Sequence, residues 1–145
     1  MHLAQANVAT MLTGYDDPLM ADFMEQLDIV NASADVAPGF VWRFIEDDEG
    51  AEVIRVFGSD KVLFNMSVWE SVEALEAWAY SGRHLEVVRN RSRWFEKSSR
   101  SPLVLWWVDA GHVPSVSEAK DRFRALWDKG PSVDAFTFSS RFSPP

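Results

Sequence analysis

Lys61-Val62-Leu63-Phe64-Asn65-Met66-Ser67-Val68-Trp69, followed by Glu70-Ser71, decides how the chain is read. Its apolar residues alternate. Val62, Phe64, Met66 and Val68 fall on one face of a strand, opposite Leu63, Asn65, Ser67 and Trp69. Ser71 then stands where a helix N-cap is needed, and Val72, Leu75, Trp78, Leu85 and Val88 continue at helical spacing toward Trp94 and Phe95, with Gly82 as a point of bending or interruption.

Upstream, Asp17-Pro18 is an N-cap followed by proline at the first helical position. Leu19, Phe23, Met24, Leu27, Val30 and Ala34 then predict a helix from about Pro18 to Asp35. Before it, Leu3 to Thr10 alternates weakly as a short strand. After it, Phe40 to Ile45 is rich in β-formers. The turn-like Asp47-Asp48-Glu49-Gly50 and the run Val53-Ile54-Arg55-Val56-Phe57 predict a hairpin.

Downstream, Leu103-Val104-Leu105-Trp106-Trp107-Val108 is a continuous apolar run between Pro102 and Gly111, the pattern of a central strand covered on both faces. Ser115-Val116-Ser117-Glu118 matches a capping box and opens a third helix that ends at Gly130-Pro131. The order is strand, helix, hairpin strands, helix, strand. It predicts an α+β, ferredoxin-like antiparallel sheet with helices on one face, carried by one domain over residues 1–145 with an extra helix and tail from about 115 to 145. The sheet's other face needs a cover. A second copy of the chain supplies one, giving a homodimer whose facing sheets enclose a barrel-like cavity.

Composition narrows the function classes. The 145 residues are 47% hydrophobic and 25% charged, as in an ordinary globular domain. A formal charge of -8 argues against nucleic-acid and anionic-membrane binding, which need basic surface. Six of the 14 basic residues cluster at Arg83, Arg89, Arg91, Arg93, Lys97 and Arg100, read as a solvated helix face. Cysteine is absent, which excludes disulfides, thiolate metal sites and a cysteine nucleophile. The opening residues do not form a signal peptide and no run is long enough to span a membrane, so the chain is expected to be cytoplasmic.

The seven tryptophans and ten phenylalanines exceed what an aliphatic core requires. Trp69, Trp78, Trp94 and Trp106 are candidate walls of a pocket for a small apolar or aromatic molecule, with core packing the other reading of each. Trp106 and Trp107 are adjacent on a strand and point to opposite faces. Asn7 and Gln5 share one face of the first strand, where a side-chain amide can hold an oxyanion in a cavity. As surface residues on an edge they would do nothing. His84 lies on an aromatic-flanked helix and titrates near neutrality, so it is a candidate general acid or base, or a structural histidine hydrogen-bonded at a helix end. Arg43, between Trp42 and Phe44, can meet a carboxylate or enolate if its face is the inner one. The histidines have no carboxylates at ligand spacing, and the chain lacks phosphate-loop and nucleophile-elbow motifs, so neither a metal nor a nucleotide is expected.

Over nearly its whole length the chain resembles the bacterial domain of unknown function 3291 family of the dimeric α+β barrel superfamily. The residues that carry the resemblance are His2-Leu3-Ala4-Gln5-Ala6-Asn7, Pro38-Gly39-Phe40-Val41-Trp42-Arg43, Asn65 to Ser71, Arg93-Trp94-Phe95-Glu96-Lys97, Leu105-Trp106-Trp107-Val108 and Phe136-Thr137-Phe138. It is similar, more distantly, to the superfamily's heme-degrading monooxygenases: Asn7, Trp69-Glu70-Ser71, Trp78 and Ser81 fall into register. The expected heme ligand position is Val88, however, with His84 one turn earlier. The superfamily's cofactor-free monooxygenases of polycyclic aromatic substrates, and its isomerases, imply a small-molecule enzyme with no cofactor as the first expectation. A non-catalytic protein that binds a hydrophobic ligand, and a heme-binding monooxygenase-like protein, are the alternatives.

Overall fold

The computed structural model describes residues 1–46 and 50–145. Strand β1 (His2–Thr10) lies between β3 (Val62–Trp69) and β4 (Leu103–Val108), with β2 (Phe40–Arg43) outside β3, so the sheet order is β2-β3-β1-β4 and all pairings are antiparallel. Helix α1 (Ala21–Asp35), entered through a 3-10 turn at Pro18–Met20 that Asp17 caps, joins β1 to β2. Helices α3 (Val72–Ala79) and α4 (Gly82–Arg89) join β3 to β4, and α5 (Val116–Lys129) follows β4. This is the α+β, ferredoxin-like arrangement expected from the pattern.

Alternation gives the sheet two unlike faces. Ala4, Ala6, Phe64, Met66, Val68, Val104, Trp106 and Val108 form one, and pack against Val53 of a short helix α2 (Ala51–Phe57) and against Val116, Ala119, Phe123 and Leu126 of α5. Leu3, Gln5, Asn7, Asn65, Ser67, Trp69 and Leu105 form the other, where Leu3, Trp69 and Leu105 meet Ala34 of α1 and Val72 and Leu75 of α3. The face that was expected to await a second copy is therefore covered by the chain's own α2 and α5.

Two further expectations are corrected. Val53 to Phe57 is helical rather than the second arm of a hairpin. Val53, Val56 and Phe57 recur at helical spacing against the sheet, and Gly50 and Gly58, at φ 78 and 79, bracket the helix in a conformation other residues resist. Burial of one helical face overrides the β preference of Val and Ile. The accompanying turn at Asp47-Asp48-Glu49 lies outside the described residues. The run from Ser71 toward Trp94 is interrupted where Gly82 signals it: Ser81 is extended, Gly82 has φ 48 and opens α4, and a 3-10 turn at Arg91–Arg93 ends the run. Finally, β4 is an edge strand rather than a central one. Its outer backbone is covered by the tail, since Leu105 and Phe136 exchange two hydrogen bonds of 2.8 Å. That cover, with apolar packing on both faces, explains why β4 reads as interior.

Candidate functional site

Cross-strand register assembles a polar row on the α1/α3 face. Asn7 stands opposite Asn65, and Gln5 opposite Ser67. Gln5 is 5% exposed and Ser67 6%, so both must be satisfied internally. Gln5 Nε2 donates to Ser67 Oγ at 2.7 Å and to Asn65 Oδ1 at 3.1 Å. The indole N–H of Trp69 donates to the same Ser67 Oγ at 2.8 Å. With its carbonyl oxygen engaged by Gln5, Asn65 keeps two N–H groups free of partners among the described residues. Asn7 likewise makes no side-chain hydrogen bond among them. Asn65 is exposed and Asn7 half-exposed in the interior of the sheet, which places a window in the helical layer over this row.

The window has a physical origin. The apolar cluster of Leu3, Trp69, Leu75 and Trp78 lies on one side of the row, and the cluster of Met11, Met20, Phe23, Leu63 and Trp94 on the other. Neither extends over the asparagines.

From Ser67 the contacts continue outward as a stack of rings. Trp78 lies on Trp69 with centroids 5.4 Å apart and planes 28° from parallel, and His84 lies against Trp78 at 4.3 Å. Trp78 Nε1 donates to Ser33 Oγ of α1 at 3.0 Å, and that hydroxyl donates to the Val30 carbonyl at 2.6 Å. His84 Nδ1 sits 2.6 Å from the Ala79 carbonyl and must donate to it, so Nε2 is the lone-pair nitrogen of the neutral ring. Burial pushes the His84 pKa down from its ordinary value, and the hydrogen bond to Ala79 opposes this in smaller measure. An unbroken series of contacts thus runs from His84 through Trp78, Trp69, Ser67 and Gln5 to Asn65.

The structure brings Gln5, Asn7, Trp69, Trp78 and His84 into this assembly and leaves three expected residues out. Trp106 is on the opposite face, fully buried, donating to Glu118 Oε2 at 2.9 Å. Its neighbour Trp107 is the one on the asparagine face, as cross-strand partner of Leu3. Trp94 is 1% exposed and packs on Phe23 at 5.4 Å as core. Arg43 meets a carboxylate of its own chain, Asp35, at 2.6 Å. Asn65, Ser67 and Ser33 belong to the assembly and were not singled out as site residues. Asn65 and Ser67 share a strand face with Trp69, a signal visible in the alternation, whereas Ser33 reaches Trp78 only through the packing of α1.

Among the described residues no group of three or more His, Cys, Asp or Glu side chains is placed to hold a metal ion, and no helix is long and apolar enough to cross a membrane. Heme does not fit the residues present. Val88, at the expected ligand position, is a non-ligating side chain, and the rings of Trp69, Trp78 and His84 pack directly on one another, leaving no slot for a macrocycle between them.

Residues 2–145 match the model of the family described as Domain of unknown function (DUF3291). The chain belongs to the DUF3291 family. No curated protein matches this DUF3291 sequence. Similar solved structures share the fold at low identity. A conserved protein from Methanosarcina mazei Go1 is 10% identical, with a TM-score of 0.56 over 75% of this chain and 94% of that one. Rv0793 from Mycobacterium tuberculosis is 12% identical, with a TM-score of 0.55 over 77% and 100%. SnoaB, a cofactor-independent oxygenase from Streptomyces nogalater, is 17% identical, with a TM-score of 0.51 over 79% and 98%. The DUF3291 chain therefore shares the ferredoxin-like α+β fold with these proteins, and carries additional residues that they do not match.

Proposed function

We propose that this DUF3291 protein is a small-molecule enzyme acting on an apolar, planar aromatic substrate that bears a carbonyl or phenolic oxygen, without a resident cofactor. The observation that carries the reading is the pair Asn7 and Asn65. Side by side on an interior sheet row, Asn7 makes no side-chain hydrogen bond and Asn65 keeps its N–H groups free among the described residues, while the adjoining Gln5–Ser67 row is buried. Side-chain N–H groups held in this way stabilise negative charge that develops on a substrate oxygen. The Gln5 to Asn65 hydrogen bond keeps the Asn65 amide oriented with its N–H groups outward. His84, kept neutral by burial, presents Nε2 as a proton acceptor at the far end of the ring stack, with Trp78 and Trp69 between it and the asparagines. A phenol or enol that loses its proton to solvent while its oxygen is held on the asparagine row becomes an electron-rich anion, the species that dioxygen can oxidise or that can be reprotonated elsewhere in an isomerisation. The fold shared with a cofactor-independent oxygenase supports the first outcome by analogy only.

The test is turnover of hydroxylated naphthalenes and anthraquinones, followed by oxygen uptake and by product chromatography. Asn65→Ala and Asn7→Ala are each expected to lower kcat by roughly a hundredfold, the effect of deleting one oxyanion donor. Unchanged kcat in both variants, or saturable binding of every substrate with no product, would overturn the proposal and favour a binding protein.

A further inference from the structure

The segment beyond α5 is tied down unevenly. Phe136 is fully buried and paired with β4 through main-chain hydrogen bonds. Farther along, Arg141 Nε donates to the Phe138 carbonyl at 2.8 Å, the guanidinium lies 5.6 Å from the Phe138 ring centroid, and a terminal N–H pairs with Glu76 of α3. Trp107 Nε1 donates to the Phe142 carbonyl at 2.8 Å. Between this segment and the body runs an open groove of about 410 Å³ walled by Glu76, Tyr80, Phe138 and Arg141, with Leu103 on the sheet side. The rings of Tyr80 and Phe138 meet edge to face at 5.8 Å. Leu103 is the cross-strand partner of Asn7, and directly paired residues project from the same sheet face. The groove therefore lies alongside the amide row.

We infer that this groove binds the outer, unsubstituted ring of a planar aromatic ligand, and that residues 138–142 are its movable outer wall, latched by the Glu76–Arg141 ion pair. The inference rests on the site proposed at Asn7 and Asn65 and adds the side from which the ligand arrives. Tyr80 and Phe138, in contact with each other, form one continuous aromatic surface on which a flat apolar ring can lie, and a ligand oxygen carried past Leu103 meets Asn7. The hinge follows from the unequal anchoring. Phe136 is held by main-chain bonds in the core, whereas the outer segment is tied to the body through side chains, by the Trp107 indole at the Phe142 carbonyl and by a latch whose two members are each more than a third exposed. A latch of that kind shifts an equilibrium by roughly fivefold at most.

Full-length protein titrated with naphthoquinone, a planar quencher of tryptophan fluorescence, tests both parts. The chain has no cysteine for the quinone to alkylate. Saturable quenching is expected, weakened about tenfold by Tyr80→Ala and by Phe138→Ala, with near-ultraviolet circular dichroism showing that each variant is folded. Glu76→Gln is expected to raise the association rate by about twofold to fivefold. Added salt is expected to speed wild-type association toward the rate of that variant, because it screens the pair. Quenching unchanged in both aromatic variants overturns the groove, and association indifferent to both salt and Glu76→Gln overturns the latch. Asparagine variants with full turnover, beside groove variants that behave as expected, would instead sink the catalytic reading and leave the groove standing.

Discussion

Trp69 and Trp78 stack between the sheet and α3 with their ring centroids 5.4 Å apart. One indole comes from a strand residue with no exposed surface, the other from helix α3, nine positions farther along the chain. Ser33 fixes the second ring by accepting its N–H. Trp78→Ala is therefore expected to destabilise the protein by roughly 3 kcal/mol, through lost aromatic area and the cavity left behind. Ser33→Ala should destabilise it by about 1 kcal/mol by stranding the indole N–H. Urea unfolding followed by near-ultraviolet circular dichroism measures both, and a Trp78→Ala protein with wild-type stability contradicts the role of the stack.

Gly39 permits the close approach of β2 to α3. It has φ 84, and a Cβ built there would lie 2.5 Å from the Ala74 Cβ. Gly39→Ala combines left-handed backbone strain with a clash, and is expected to lower stability by about 2 to 3 kcal/mol. Adding Ala74→Gly to that variant should relieve the clash while leaving the strain, so a thermal midpoint that recovers only in part is the expected result.

His84 links stability to pH with a definite sign. Its folded pKa is depressed below the ordinary value, chiefly by burial. Above that ordinary value, about 6.5, both folded and unfolded chains carry neutral imidazole and the contribution is fully present. As pH falls through it, the unfolded chain takes up a proton the folded state disfavours, and stability is lost. His84→Gln keeps an N–H donor for the Ala79 carbonyl without titrating. The urea midpoint of wild type should fall more steeply than that of the variant between about pH 7 and pH 5, and parallel curves would exclude the effect.

Glu118 carries two partners of unequal weight. One oxygen accepts from the buried indole of Trp106 at 2.9 Å, the other lies 2.7 Å from the half-exposed His112. Glu118→Ala should destabilise by about 1 to 3 kcal/mol, because a buried N–H is left unsatisfied. His112→Ala removes only an exposed pairing and should change stability by less than about 1 kcal/mol. Equal effects, measured by denaturant unfolding, would show that the surface pairing matters as much as the buried one.

Much of this was legible in the chain. Alternation along Val62 to Trp69, the Asp17-Pro18 start of the first helix and the Ser115 cap of the last are local signals, and local signals follow from backbone geometry and nearest-neighbour sterics alone. They yielded the α+β, ferredoxin-like order and placed Gln5 and Asn7 on one strand face. Other features depend on what packs against what. Val53 to Phe57 became a helix because the sheet face it covers rewards helical spacing. Leu103 to Val108 became an edge because its outer backbone is satisfied by Phe136, a residue far along the chain. Which of Trp106 and Trp107 faces the asparagines was set by register against Ala4 and Leu3. Local periodicity, in short, determined the elements and their faces. Only the tertiary structure decided which face its own helices would close and which would keep Asn7 and Asn65 open, because that choice is made by burial between segments distant in sequence.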